Sequence, residues 1–287
     1  MNLTSPVQVR EWCQAHDFHP SRTLGQNFLI DRNILDGIIA ASGVGKNSRV
    51  LEVGPGLGVV TAALLAAGAN VIAIEKDRRL AAWLRESLGA EPNLKLIEAD
   101  ALETDWDAML GTRFDALVSN LPYSVGTRIL LDVATHTLAP PRMVVTVQLE
   151  VAERLAAAPG ASARGQAGVW IQRAFDVEIV RIIKSTCFWP KPDISSALVR
   201  LSRHDRHSLA PDVLRRYHEL TRHAFMHRRK QLAAAMRHAP PEWRQDAAVI
   251  ARLLEECGAD PRARAEDLDV AQWCQLAQNW PNSLKKT

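Results

Sequence analysis

The stretch Val50-Leu51-Glu52-Val53-Gly54-Pro55-Gly56-Leu57-Gly58-Val59-Val60-Thr61 constrains this chain more than any other. A β-branched apolar run ends in a glycine-rich turn, and an Ala/Leu run of helical length follows over Thr61–Ala67. This order predicts strand, tight turn and helix, the opening of an α/β nucleotide-binding unit. Glycines let the backbone turn without a Cβ clash and let a ligand approach the main chain. Glu75 stands 21 residues beyond Gly54 and closes a second apolar run, Val71–Ile74. A carboxylate at that strand tip is where such units hold the two hydroxyls of a ribose. Together the two features predict an adenosine-like ligand.

The glycine spacing narrows the choice. A dinucleotide fingerprint reads Gly-x-Gly-x-x-Gly and holds a pyrophosphate at a helix N-terminus. Here it reads Gly54-x-Gly56-x-Gly58, with Val59 where the third glycine would stand and Glu52 two places before the first. An acid beside the turn suits a cationic ligand end, such as the amino group and sulfonium of S-adenosylmethionine, better than a pyrophosphate.

Five parallel strands are predicted over Arg49–Val53, Val71–Glu75, Leu94–Glu98, Phe114–Ser119 and Met143–Gln148. Helices fall between or after them, including Arg78–Leu88, Thr127–Thr135 and Glu150–Ala157, and Asp31 caps an earlier helix that runs to about Ala41. Such alternation implies a mainly parallel sheet whose ligands bind at the C-terminal strand ends. Glu52, Glu75, Asp100 and Asn120 all fall there. Gln166–Phe175 reads as a helix, and Val177–Ile183 with Ala197–Leu201 as a closing hairpin. Phe188-Trp189-Pro190-Lys191-Pro192 reads as a loop, because proline cannot join a ladder or continue a helix. Residues 1–24 predict no regular element. Beyond about residue 207 the apolar spacing becomes helical. The chain of 287 residues therefore divides into an α/β domain, 1–207, and a small all-helical domain, 208–287.

Charge is uneven. Residues 1–180 hold 16 Lys and Arg against 20 Asp and Glu, whereas residues 181–287 hold 19 against 12. A basic second half points to a polyanion. Arg222, Arg228, Arg229 and Lys230 are the docking candidates. On a helix the last three would fan over roughly 200°, with Phe225, Leu232 and Met236 anchoring one side. His223 and His227 share a face of that helix and are expected at the surface. Trp83 and Trp170 are expected in the core. Four scattered cysteines imply reduced thiols, with no Cys/His spacing for zinc and no metal expected. No apolar run reaches membrane-spanning length and the start lacks a signal pattern, so a cytoplasmic, monomeric protein without a membrane partner is expected.

Asn120-Leu121-Pro122-Tyr123 carries the candidate chemistry. An amine conjugated to an adenine ring is a poor nucleophile because its lone pair is delocalised. Acceptors for its two N–H groups favour a pyramidal nitrogen and aim the lone pair. The Asn120 side-chain oxygen and the Leu121 carbonyl are suited to that work, Pro122 keeping Leu121 out of helical bonding. Tyr123 offers a ring for the base, and Phe188 the opposing ring.

With these residues assembled, the chain resembles the ribosomal RNA adenine N6,N6-dimethyltransferase family, in its bacterial small-subunit branch. The resemblance rests on Gly25-Gln26-Asn27-Phe28-Leu29, Glu52–Gly58, Glu75, Asp100-Ala101, Asn120–Tyr123, Gln148–Leu155, Phe188–Ser196, Ala224–Lys230 and Arg264-Ala265-Glu266 through Gln275. It implies a Rossmann-like seven-stranded S-adenosylmethionine-dependent methyltransferase sheet with a small C-terminal all-helical domain. It implies that Asn27, Leu29, Gly54, Glu75, Asp100 and Asn120 line the cofactor site, Asp100 taking the adenine amine. Asn120, Leu121, Tyr123 and Phe188 would position the target. The implied substrate is a pair of adjacent adenines in a hairpin loop near the 3′ end of small-subunit rRNA, in the assembling 30S subunit. Two alternatives remain: a large-subunit rRNA adenine methyltransferase of the antibiotic-resistance type, and a nicotinamide oxidoreductase sharing only the βαβ start.

Overall fold

The computed structural model describes residues 1–21 and 23–281. Contacts group Met1–Ala152 with Asp176–Arg203 into one unit, and Glu153–Phe175 with the chain from His204 onward into another. The second unit thus takes in a segment well ahead of the boundary expected near residue 207.

The first unit is built on a seven-stranded sheet. Its strands are β2 (Arg49–Val53), β3 (Asn70–Glu75), β4 (Leu94–Glu98), β5 (Ala116–Asn120), β6 (Arg142–Gln148), β7 (Phe175–Ile183) and β9 (Ser196–Arg203). Their order is β4-β3-β2-β5-β6-β9-β7. The first five are parallel neighbours and β9 runs antiparallel to β6. Val50, Leu51, Val53, Ala116, Leu117 and Val118 are buried on both faces of the sheet, which is why these strands read as unbroken apolar runs rather than alternating ones. The chain reverses strand order on either side of β2 and β5, and that break opens a crevice at their C-terminal ends.

Crossover helices follow from local chemistry. The carboxylate of Asp31 accepts the N–H of Ile34 at 3.0 Å and starts α2 (Arg32–Ser42), which Gly43 ends at φ 62°. Asp77 caps α4 (Arg78–Leu88) through the N–H groups of Arg79 and Leu80. The remaining helices of this unit are α3 (Val59–Ala66), α5 (Trp106–Leu110) and α6 (Gly126–Ala134), with α7 (Leu149–Ala156) following β6.

Two sequence expectations are corrected here. Residues 1–24 contain a regular element after all, α1 (Pro6–Ala15), with Pro6 in its first turn and Ser5 as cap. Its Val9, Trp12 and Cys13 pack with Phe18, Phe28, Leu57 and Leu80. Phe188–Trp189 is not loop but a short strand, β8, paired antiparallel with β1 (Phe28–Leu29). The prolines bar pairing only from residue 190 onward, and Phe188 and Trp189 keep their N–H groups.

The second unit holds α8 (Gln166–Gln172), α9 (Pro211–Met226), α10 (Leu232–Met236), α11 (Ala247–Glu256) and α12 (Val270–Asn279). They enclose a core that includes Tyr217, Leu220, Leu232, Met236, Leu254 and Trp273. The chain leaves helix at His227, so Arg228, Arg229 and Lys230 lie in a turn and not on the continuous helix the spacing suggested. The expected fan of charges is corrected accordingly, and Leu232 and Met236 belong to a different helix from Phe225. His223, expected at the surface, is buried 3.4 Å from Glu219, and His227 is half-buried with its ring 4.5 Å from that of His238. Trp83 and Trp170 are half-buried, their indole N–H groups donating to the Leu57 carbonyl and the Thr221 hydroxyl. All four cysteines are free thiols. Among the described residues no helix is long and apolar enough to cross a membrane.

Candidate active site

The C-terminal ends of β2, β3 and β5 border a cavity of about 1170 Å³, counted to its open mouth. Its walls come from Gly25–Leu29, the Gly54–Leu57 turn, Glu75, Asp100 with Ala101, and Asn120 with Pro122. Asn27, Leu29, Gly54, Glu75, Asp100 and Asn120, proposed from sequence to line one site, all stand on this single wall system. An apolar-walled cleft with few convergent polar groups suits a small-molecule ligand.

Close approach of glycine backbone joins its parts. Gly54 has φ 70°, and a Cβ there would lie 2.9 Å from Cγ of Pro122. Gly25 has φ 67°, and a Cβ there would lie 2.7 Å from the backbone nitrogen of Tyr123. The N-terminal segment therefore meets the Asn120–Tyr123 loop main chain to main chain, and the glycine turn meets it at the Pro122 ring.

Three carboxylates sit in distinct environments. Glu75 is 6 % exposed; its Oε2 accepts the N–H of Gly56 at 3.0 Å and its Oε1 that of Asp77 at 2.9 Å. Burial pushes its pKa above the usual carboxylate range, against the pull of those two donors. Each oxygen keeps a further lone pair for a ligand hydroxyl. Asp100 accepts the Lys76 ammonium at 2.6 Å and the N–H of Leu102 at 2.9 Å, and these donors hold its carboxyl below the usual range. Glu52, expected to offer a negative charge to a cationic ligand, lines the pocket but is 1 % exposed and accepts the Thr61 hydroxyl at 2.7 Å. In the ligand-free chain burial raises its pKa to about 8.

Asn120 closes β5. Its Nδ2 donates to the main-chain carbonyl of Asn27 at 2.9 Å, while its Oδ1 accepts the hydroxyl of Thr146. Pro122 turns the chain at once, its carbonyl accepting the N–H of Gly126 at 2.7 Å. Leu121 is buried at this turn. The Tyr123 hydroxyl shares a hydrogen bond with the Ser196 hydroxyl on β9, and burial raises the phenol pKa to about 12.

Tyr123 and Phe188 are brought together, but not as two parallel plates. Their ring centroids are 6.3 Å apart at 72°, and Phe188 is 2 % exposed. A base held between parallel rings needs about 7 Å, two contacts of roughly 3.5 Å. The expected sandwich is corrected to an edge-on pair in which Tyr123 is the ring nearer solvent.

The docking candidates also separate. Arg228 donates to Glu266 at 2.8 Å and to the Ser162 carbonyl at 2.7 Å, which ties three segments of the helical unit. Arg222 pairs with Glu219 at 2.6 Å, Lys230 donates to His238 at 2.8 Å, and Arg229 is exposed. Sequence reasoning missed Thr146, Ser196 and Lys76, since a threonine in a β-branched strand carries no signal of a site.

Comparison with known proteins agrees with this geometry. Residues 17–280 match the model of the family described as ribosomal RNA adenine dimethylase. The chain is 39 % identical over 281 residues to Ribosomal RNA small subunit methyltransferase A of Phenylobacterium zucineum, covering 98 % of this chain and 95 % of that one. It is 34 % identical to the protein of the same name from Geobacillus thermodenitrificans, covering 96 % of each. A solved dimethyladenosine transferase from Plasmodium falciparum superposes with TM-score 0.72 at 25 % identity, over 86 % of this chain and 95 % of that one. The 23S rRNA methyltransferase ErmE superposes with TM-score 0.65 at 25 % identity, over 88 % and 99 %.

Proposed function

Because this chain belongs to the ribosomal RNA adenine dimethylase family, we propose that it dimethylates the N6 amines of two adjacent adenines in the 3′-terminal hairpin loop of small-subunit rRNA, as the 30S subunit assembles. It is an S-adenosylmethionine-dependent rRNA adenine dimethyltransferase. The small-subunit branch is favoured over the large-subunit one by the names of the relatives at 34–39 % identity, against 25 % for ErmE. The nicotinamide reading falls with the family.

The pocket fits the cofactor by its donor set. Glu75 retains acceptor capacity for two ribose hydroxyls, Asp100 accepts a further N–H beside Ala101, and the glycine turn leaves backbone exposed to a methionine tail. Bound there, S-adenosylmethionine supplies an electrophilic methyl group. The chain supplies position, and positioning of this kind is worth several kcal/mol of barrier. Asn120 Oδ1 and the Leu121 carbonyl accept the two N–H groups of the target amine and turn its lone pair outward. Tyr123 stacks against the base from its solvent side, and Phe188 supports that ring edge-on. Stacking of about 1–3 kcal/mol per base helps offset the cost of flipping the base. The sheet unit carries cofactor and chemistry, and the helical unit, 208–287 with Arg222, Arg229 and Lys230, carries rRNA docking. A cytoplasmic monomer is the matching form.

The observation that carries this reading is the amide of Asn120, held beside the cofactor pocket at the end of β5. Replacing it by alanine tests it. Methyl incorporation into unmodified small subunits should fall at least a hundredfold, with RNA binding unchanged and cofactor affinity altered by no more than a fewfold. Methylation within threefold of wild type would overturn the assignment.

A further inference from the structure

We propose that Thr146 is a positioning residue for the methyl transfer, acting solely through Asn120. This rests on the role proposed for Asn120. The two residues are register partners on parallel neighbours β5 and β6. Register partners project to the same face of a sheet, so the Thr146 hydroxyl meets the Asn120 amide directly.

The amide is thereby held from both ends. Thr146 donates to Oδ1, and Nδ2 donates to the main-chain carbonyl of Asn27. A side-chain amide has two nearly isosteric orientations, and only one presents an acceptor to an incoming N–H. In the reversed orientation Nδ2 would face the Asn27 carbonyl no longer, and Oδ1 would meet that carbonyl lone pair to lone pair. The Asn27 carbonyl, an acceptor only, sets the orientation, and the Thr146 hydroxyl, fully buried and with no bulk water to replace it, donates to Oδ1 and holds that oxygen in place. One lone pair of Oδ1 is used by Thr146, and the second remains for the target amine. The clamp also links two motifs far apart in sequence, since Asn27 belongs to the Gly25–Leu29 segment and contributes through its backbone. Thr146 itself does not line the pocket.

The test is Thr146→Val, which keeps shape and removes the donor, with Thr146→Ser, which restores it. The turnover number should fall at least tenfold in Thr146→Val, while the KM for small subunits and the Kd for S-adenosylhomocysteine stay within twofold. Thr146→Ser should remain within threefold of wild type. In an Asn120→Ala background, single-turnover rates should show no further loss from Thr146→Val, because coupled residues fail to add. If Thr146→Val lowers the unfolding temperature too far to assay, Thr146→Ser decides the question: a serine variant at least tenfold slower than wild type overturns the proposal. So does a Thr146→Val turnover within twofold of wild type, or an equal loss with and without Asn120. A fully active Asn120→Ala removes instead the reading of Asn120 itself, and so fails differently.

Discussion

Oε2 of Glu75 accepts the main-chain N–H of Gly56 across 3.0 Å, so the tip of β3 and the glycine turn after β2 form one continuous rim. The first prediction follows from it. Glu75→Ala should weaken S-adenosylhomocysteine binding by tenfold or more, since each charged hydrogen bond contributes about 1.5–3 kcal/mol. It should also lower the unfolding temperature, because the N–H groups of Gly56 and Asp77 lose their acceptor. Isothermal titration and a thermal melt read both effects, and unchanged affinity would remove Glu75 from the site.

Glu52 sets a pH dependence of stability. Its folded pKa, about 8, lies above the ordinary carboxylate value of 4.5. The folded state therefore binds more protons than the unfolded one between those two values, and stability falls as pH rises through the window. Below pH 4.5 the group is neutral in both states and costs nothing. Glu52→Gln keeps an acceptor for Thr61 and has no charge to bury. Its melting temperature should exceed that of wild type by a margin that grows from about pH 5 to pH 8, reaching a few kcal/mol in stability. A margin independent of pH would show that Glu52 does not titrate there.

Phe188 is too buried to act as a simple removable plate. Phe188→Ala should destabilise the fold by about 3–5 kcal/mol, so its loss of activity would mix folding with chemistry. Phe188→Leu keeps most of the packing and removes the aromatic edge facing Tyr123. It should reduce methyl transfer several-fold with little change in melting temperature, and should do so less in a Tyr123→Leu background. Independent effects of the two changes would argue that Phe188 does not act through the Tyr123 ring.

Arg228 and its two neighbours should behave differently. Arg228→Ala breaks the bonds to Glu266 and Ser162, so its chief effect should be a lower unfolding temperature. Arg229→Ala combined with Lys230→Ala should instead flatten the salt dependence of subunit binding, by about 0.7 in slope for each phosphate no longer neutralised. Cofactor affinity should stay constant in both. Binding measured across a salt series separates them, and an unchanged slope in the double variant would leave those cations as surface solvation alone.

How much the sequence disclosed depended on how local each cause was. The tips of β2, β3 and β5 were legible because an apolar run, a turn residue and a polar side chain follow one another within a few positions. Asp31 announced a helix start by the same local logic. The end of α9 was not legible. Phe225, Leu232 and Met236 keep helical spacing across His227–Gln231, whereas the Lys230 N–H closes a turn on the His227 carbonyl and the Leu232 N–H donates to the distant carbonyl of Ala263. The raised pKa of Glu52 was not legible because burial, its cause, is a property of the whole core. The strand at Phe188 escaped notice because its partner is Leu29, 159 positions earlier in the chain.

Gly25 and Gly54 have a consequence for how such a protein is able to change over generations. With a hydrogen in place of each side chain, Gly25 approaches the Tyr123 backbone and Gly54 the Pro122 ring closely enough that one added carbon would displace them. The pocket for one substrate and the loop for the other are thus cast from a single mould. A lineage cannot widen or reshape either one by substitution at these glycines without deforming the other, so drift toward a new methyl acceptor has to come from the surrounding surface. An engineer seeking a different target base should leave these two glycines alone and work outward from Tyr123.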